Sequence, residues 1–237
     1  MLDFLIDIDS QIFLFLNSFH LPYFDHFMMA FTGKFIWVPM YASILFILFR
    51  RFGWKVAICY TIAIPVVIAC ADQLCATILR PWIERLRPSN IANPISEFVH
   101  IVDGYRGGKY GFPSCHAANS FALASFLALL FANRRFTIFI FAWAIINSYS
   151  RLYLGVHYPG DLIIGAIVGS CIGYVGYRLT KSISKNYATT HDIDQKHFPI
   201  QLSFGNTTIS YLLSDTMIAI GLITTLSISI YSFIALI

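Results

Sequence analysis

Charge is scarce in this 237-residue chain: only 12% of its residues are Asp, Glu, Lys or Arg, against about 25% in an ordinary soluble domain. That shortage excludes a soluble globular fold and a disordered chain, since both need a polar surface. Paired cysteines are also missing. Cys59, Cys70, Cys75, Cys115 and Cys171 form no CxxC motif, so neither a disulfide framework nor a zinc module is indicated. Four of them fall within apolar runs and read as small core residues. The chain opens without a basic segment and carries Asp3, Asp7 and Asp9 instead, which excludes a signal peptide. No internal repeat or low-complexity tract is present. What abounds is apolar: 57% hydrophobic residues, 22 phenylalanines and a mean hydropathy of +0.69. These values define a polytopic membrane protein.

A spanning helix needs about 20 apolar residues to cross roughly 30 Å of hydrocarbon. Six segments qualify: Phe27–Phe49, interrupted by Lys34; Val56–Leu79, with Pro65 and Asp72 inside it; Ala117–Ala132; Phe136–Tyr149, which is short and must borrow residues from its C-terminal flank; Leu162–Leu179; and Tyr211–Ile237. In lipid all of them must be helices, because an isolated strand leaves its backbone unpaired. The expected fold is therefore all-α, a transmembrane bundle of about six spans. Leu2–Leu21 mixes acidic residues with an apolar run, and it reads as an amphipathic helix lying in the interface, with a further span as the rival. The expected organisation is a membrane domain over 1–180, a polar cytoplasmic linker over 181–208 and an additional helix over 209–237.

The basic residues orient the bundle. Arg50, Arg51 and Lys55, then Arg134 and Arg135, then Arg178, Lys181, Lys185 and Lys196 occupy alternate loops that can all be cytoplasmic. The opposite side receives Arg80, Arg85, Arg87, Arg106, Lys109 and Arg151. Six cations on the side that should lack them require negative charge there. Gly165, Gly169 and Gly173, four residues apart, form a small-residue face, read as close packing within the monomer. Trp82 and Tyr153 read as interface anchors.

Three clusters fall on that outer side, where a compact bundle would bring their helix ends together: Arg80 to Pro88, Pro113-Ser114-Cys115-His116, and Ser150-Arg151 followed by His157 and Asp161. Arg80, Arg87 and Arg151 carry planar forks suited to phosphate. Ser114 reads as an N-cap, leaving free N–H groups at a helix start where an anion can bind. His116 sits in that same turn. Asp161 follows His157 by four residues, with Pro159 placed to begin a helix, so the carboxylate can fix the imidazole's tautomer. Two histidines with different neighbours suit a nucleophile and an acid. Each element alone has a plainer use, as a snorkelling anchor, a cap or a dipole partner; together they specify an anion site. Metal is not expected, because the carboxylates are scattered and no His pair has helical spacing.

These clusters resemble the three motifs of the type 2 phosphatidic acid phosphatase superfamily of membrane lipid phosphatases. Arg80-x6-Arg87-Pro88 is similar to its Lys-x6-Arg-Pro, Pro113-Ser114-Cys115-His116 to its Pro-Ser-Gly-His, and Ser150-Arg151-x5-His157-x3-Asp161 matches the third motif in full. The departures are Arg80 for Lys and Cys115 for Gly. The helical framework carries the similarity from near the N-terminus to about residue 180, and residues 181–237 lie outside it.

The resemblance implies a metal-independent phosphatase, without cofactor, that works through a phosphohistidine. His157 would attack phosphorus, Asp161 would orient it, and His116 would protonate the leaving oxygen and then activate water. Arg80, Arg87, Ser114 and Arg151 would hold the phosphoryl oxygens, with Cys115 beside them. The implied partners are a lipid phosphate and the bilayer, with no nucleic acid and no obligate protein. The implied place is the bacterial inner membrane, with the site facing the periplasm. Lipid A phosphate and undecaprenyl pyrophosphate stand level as substrates. The alternatives are phosphatidylglycerol phosphate, a non-catalytic lipid-phosphate binder of the same fold, or a transporter.

Overall fold

Lipid-facing sequence has to satisfy its backbone within each segment, and the membrane body of this chain is helical throughout. The computed structural model describes residues 2–187, 199–204 and 207–237. Its helices are α1 (Leu2–Asn17), α2 (Pro22–Phe31), α3 (Val38–Arg51), α4 (Trp54–Gln73), α5 (Arg80–Ile83), α6 (Cys115–Phe131), α7 (Arg134–Tyr153), α8 (Pro159–Ser184) and α9 (Leu213–Ile234). A π-helical turn, Leu74–Leu79, joins α4 to α5, giving one 30-residue rod, Trp54–Ile83. Such a rod is about 45 Å long. It is longer than the roughly 30 Å of a hydrocarbon layer, and Arg80 stands near its C-terminal end.

α6 is the hub. Most of its residues are buried, so apolar side chains face its neighbours α4, α7 and α8 alike. Its tightest neighbour is α8. A methyl group on Gly165 would stand 2.5 Å from the Ser114 carbonyl oxygen, and methyls on Gly169 and Gly173 would collide with the carbonyls of Ala118 and Ala122. The glycine face thus packs inside the monomer, as its spacing implied, and it draws the start of α8 against the start of α6.

The span expected over Phe27–Phe49 is broken. α2 and the helical run from Phe35 to Arg51 meet at 68°. Trp37 fills the corner: it is 1% exposed, and its indole donates to the Phe31 carbonyl at 2.8 Å. Among the described residues, three helices are long and apolar enough to cross a membrane, or four if the bent pair is one span; α6 is shorter, at 17 residues. α7 is 20 residues long but carries Arg134, Arg135 and Arg151.

Two further expectations shift. Part of the region expected as a polar linker pairs as an antiparallel hairpin, Pro199–Phe204 with Thr207–Leu212, so the last helix begins at Leu213 rather than 209. The expected linker also starts too early, since α8 runs on to Ser184, and its residues 188–198 and 205–206 lie outside the described residues. Tyr153, expected as an interface anchor, is 2% exposed, and its hydroxyl donates to Asp25 at 2.7 Å. Trp82 is exposed.

α1 crosses the end of the bundle where α7 finishes and α8 begins. Phe13 is buried edge-on to Tyr158 at 5.3 Å. The Asn17 amide donates to the Tyr153 carbonyl at 2.9 Å and accepts from the His100 N–H at 2.8 Å. Phe4, Leu5, Ile12 and Phe15 remain exposed along the helix. α9 packs on α2 and α3.

Candidate active site

Four chain segments deliver the three clusters to one end of the bundle. Arg80 stands where the π turn ends. The return loop between α5 and α6 is tied to itself: the Arg87 N–H donates to the Lys109 carbonyl at 3.1 Å, and the Gly111 N–H to the Arg85 carbonyl at 2.9 Å. This short ladder fixes where Arg85 and Arg87 point. Ser114 caps α6 through its hydroxyl, while its own N–H donates to the Asp161 carbonyl at 3.0 Å. After α7 the chain reverses at Gly155, whose φ of +76° and whose contact with the His100 carbonyl suit no other residue. That reversal turns His157 inward, and Pro159 then starts α8.

The centre is His157, 2% exposed. Its Nδ1 lies 3.2 Å from Asp161 Oδ2, and its Nε2 lies 3.2 Å from an Arg87 guanidinium nitrogen. A guanidinium can only donate. Nε2 therefore accepts, and Nδ1 carries the proton toward Asp161. Burial, followed by the charges of Arg87, Arg151 and Arg80, holds this imidazole well below its ordinary pKa, so it is neutral with its lone pair on Nε2. Arg87 is itself pulled down to about 10, first by burial and then by Arg80 and Arg151.

Asp161 is fully buried. Its Oδ2 also accepts from the Tyr158 N–H at 3.1 Å, and its Oδ1 pairs with Arg85 at 3.0 Å. Arg87 further donates to the carbonyls of Tyr110 and Val156. Arg151, 3% exposed, donates to the Thr32 hydroxyl at 3.2 Å and the Tyr105 hydroxyl at 2.9 Å. Arg80 donates to the Pro113 carbonyl at 3.2 Å and meets Cys115 Sγ at 3.0 Å. The Nε atoms of Arg80 and Arg151 are buried without a partner among the described residues. Three arginines with spare donors around one neutral imidazole make a site organised for an oxyanion.

His116 stands apart from this network. It lines a cavity that runs inward among α3, α4, α6 and α7, within electrostatic reach of Arg151, His157, Lys34 and Arg87. Cys115 occupies the place where the motif has Gly and makes a contact rather than an obstruction, since its sulfur receives the Arg80 fork. All eight candidate residues therefore lie at this end, and the structure adds four. Arg85 and Asp9 support Asp161, and Thr32 and Tyr105 hold Arg151. Arg85 sits inside the first cluster in sequence, but nothing in its spacing separates it from its neighbours. Asp9, a carboxylate in an apolar segment, was the visible clue to a polar role for α1.

The PAP2 superfamily pattern matches residues 54–185, the stretch that runs from α4 to the end of α8. The chain is 50% identical over 234 residues to a lipid A 4'-phosphatase of Bacteroides thetaiotaomicron, covering 99% of both chains. It is 35% identical over 178 residues, 75% of both chains, to a lipid A 4'-phosphatase of Porphyromonas gingivalis. The crystal structure of a PAP2-type phosphatidylglycerolphosphate phosphatase from Bacillus subtilis shares the fold, with a TM-score of 0.55 and 22% identity, covering 78% of this chain and 89% of that one. An oxyanion site at one end of a membrane helical bundle thus belongs to a membrane lipid phosphatase. The chain is a member of the PAP2 superfamily.

Proposed function

We propose that the protein removes a phosphate from the sugar headgroup of lipid A at the outer face of the bacterial inner membrane, through a phosphohistidine. The observation that carries this reading is His157, neutral, with Nδ1 on Asp161 and Nε2 facing the guanidinium of Arg87. A phosphoryl group entering among Arg80, Arg87 and Arg151 takes over their spare donors, with the Ser114 turn beside it. Arg87 then releases Nε2. The Nε2 lone pair forms the N–P bond as the ester O–P bond breaks, and His116 supplies the proton to the leaving oxygen. Water next attacks phosphorus and gives a proton to His116, the N–P bond breaks, and phosphate leaves. The protein's contribution is positioning and preorganised charge, which is what phosphoryl transfer requires.

The choice of lipid A over undecaprenyl pyrophosphate is supported by the two lipid A 4'-phosphatases of Bacteroides thetaiotaomicron and Porphyromonas gingivalis. Six spans result if the bent pair, the α4–α5 rod, α6, α7, α8 and α9 each cross. The phosphatase domain then covers 1–180, and α9 forms a peripheral span on α2 and α3. α1 lies in the interface, with Asp9 toward the site and Phe4, Leu5, Ile12 and Phe15 toward lipid.

The test is phosphate release by the purified full-length protein in detergent, with EDTA present, from lipid A and from undecaprenyl pyrophosphate. Release from lipid A that is lost in His157→Ala is expected. Full activity in that variant overturns the mechanism, and turnover of undecaprenyl pyrophosphate alone overturns the substrate.

A further inference from the structure

The cavity beside His116 holds polar atoms that phosphoryl transfer does not use. Its volume is about 330 Å³, and its walls include Lys34 and Trp37 at the corner between α2 and α3, Asp72 of α4, Asn119 of α6, and Trp143 and Asn147 of α7. That volume lies within the range of roughly 300–1,000 Å³ usual for small-ligand sites. Trp143 Nε1, Asn119 Oδ1 and Asn147 Oδ1 are all buried without a hydrogen-bond partner among the described residues. Trp143 and Asn147 are only 4% and 9% exposed.

These atoms are held in place from behind. The Asn147 amide donates to the Ser120 hydroxyl at 2.8 Å, and the Asn119 amide to Asp72 Oδ1 at 2.9 Å. Trp143 is wedged edge-on to Trp37, with ring centres 5.6 Å apart. In each asparagine the amide nitrogen is used and the carbonyl oxygen is left open. Asp72 lies within a spanning helix and has no ion-pair partner among the described residues. A carboxylate within an apolar helix and three buried polar atoms without a partner are costly unless a ligand satisfies them.

The ligand chemistry is set by an unpartnered indole donor and two unpartnered amide oxygens, with the Asp72 carboxylate beside them and the Lys34 ammonium on the wall as a further donor. Hydroxyl groups can donate to Asp72, Asn119 and Asn147 and accept from Trp143, and amide N–H groups can donate to the same oxygens. An isoprenyl chain offers neither and would leave every one of these atoms unpaired. The cavity also borders the phosphate site. His116 lines it, and Thr32, another of its wall residues, accepts from Arg151 at 3.2 Å.

We infer that this cavity is a sugar subsite, which seats the hydroxyl- and amide-bearing ring next to the scissile phosphate and so selects a sugar lipid over a polyprenyl one. The inference deepens the proposed function and rests on it. A site built to hydrogen-bond a substrate rejects an analogue lacking those groups far more strongly than an apolar pocket can.

The experiment measures kcat/KM for lipid A and for farnesyl diphosphate in the same detergent, on wild type, Asn147→Leu, Asp72→Asn and Trp143→Phe. Trp143→Phe removes one N–H with little change of shape, and thermal melting checks that each variant is folded. Wild type is expected to prefer lipid A, and each substitution to lower that preference at least tenfold. A preference unmoved by all three substitutions overturns the subsite and leaves the proposed function standing. A wild-type enzyme that hydrolyses farnesyl diphosphate but not lipid A overturns both.

Discussion

Arg85 reaches Asp161 Oδ1 at 3.0 Å with one guanidinium nitrogen and Asp9 Oδ2 at 2.7 Å with the other. Its plane also lies 3.8 Å from the centre of the Tyr158 ring. The carboxylate that holds His157 is thus itself held by an arginine, and that arginine is anchored by α1. Asp9 in addition accepts from the Gly160 N–H at 2.8 Å, at the first turn of α8. Asp9→Asn keeps the shape but weakens the anchor, and Arg85→Gln removes it. Both are expected to lower kcat by roughly 10- to 100-fold through misplacement of the imidazole, with Arg85→Lys recovering part of the loss. Unchanged kcat in Arg85→Gln would separate α1 from the chemistry.

The two histidines predict different chemical lesions. His157→Ala removes the attacking nitrogen, so no phosphoenzyme can form, and a fall of about 10⁴-fold is the order expected for loss of a nucleophile. His116→Ala leaves attack possible but withholds the proton needed in both steps. With a substrate whose leaving group needs no proton, such as a nitrophenyl phosphate, this variant should build up an acid-labile, base-stable phosphoprotein. Intact-protein mass spectrometry after a base quench reads it directly. EDTA should alter neither result. An equal burst of phosphoprotein in His157→Ala would reassign the nucleophile.

Much of this site is legible in sequence because its parts are local. His157 and Asp161 are one helical turn apart, Ser114 and His116 share a first turn, and Arg80 and Arg87 flank one loop start. Sorting the cations by side was enough to bring the three clusters to one end. The supports were not legible, because they come from far along the chain. Asp9 lies 76 positions from Arg85 in sequence, and Thr32 lies 119 from Arg151, and no periodicity links such pairs. The 68° bend in the first predicted span was hidden for a related reason. Lys34 marked a break in the apolar run, but only the burial of Trp37 against Phe31 and Trp143 turns that break into a corner. The polar cavity is formed at that corner, so it too was invisible in the linear pattern, although Asp72 stood out within its span.

The burial of His157 makes stability depend on acid. Its folded pKa lies below the ordinary value of about 6.5. As pH falls through 6.5 the unfolded chain takes up a proton that the folded chain refuses, so this residue's effect on stability is absent at neutral pH and grows as an unfolding bias below 6.5. In thermal melts from pH 7.5 to 5.0, wild type should lose more stability than His157→Gln. The active tautomer persists through the same range, so imidazole NMR should show His157 still neutral at pH 6. A midpoint at or above 6.5 would contradict the burial argument. At the other end, burial and the neighbouring arginines pull Arg87 down to about 10, so phosphate binding is expected to weaken as pH rises toward that value.

The close seat of α8 on α6 makes its own prediction. Gly169 backs onto the Ala118 carbonyl with no room for a methyl group, and both helices carry site residues at their starts. Gly169→Leu should therefore cost about 3 kcal/mol or more by overpacking and impair activity with it. Leu substituted for the lipid-exposed Ile163, on the same helix but facing outward, should cost little. Similar melting temperatures for Gly169→Leu and wild type would show that α6 and α8 are less tightly joined than their backbones indicate.

The last prediction concerns sidedness, which decides which leaflet is served. Arg80, Arg85, Arg87, Arg106, Lys109 and Arg151 violate the positive-inside rule if their end is periplasmic, and obey it only if the bundle is inverted. The structure gives this cluster another use. Arg87 and Arg151 are buried, and Arg80, Arg87 and Arg151 carry the charge that the proposed phosphate site needs. Arg85 is taken by two carboxylates, and Arg106 donates to the Ser89 carbonyl at 2.7 Å. With these discounted, Arg50, Arg51, Lys55, Arg134, Arg135, Arg178, Lys181 and Lys185 at the opposite end are expected to orient the bundle. A phosphatase reporter fused after Lys185 should therefore be silent and one inserted at Gly107 active. The reverse pattern would move the chemistry to the cytoplasmic leaflet.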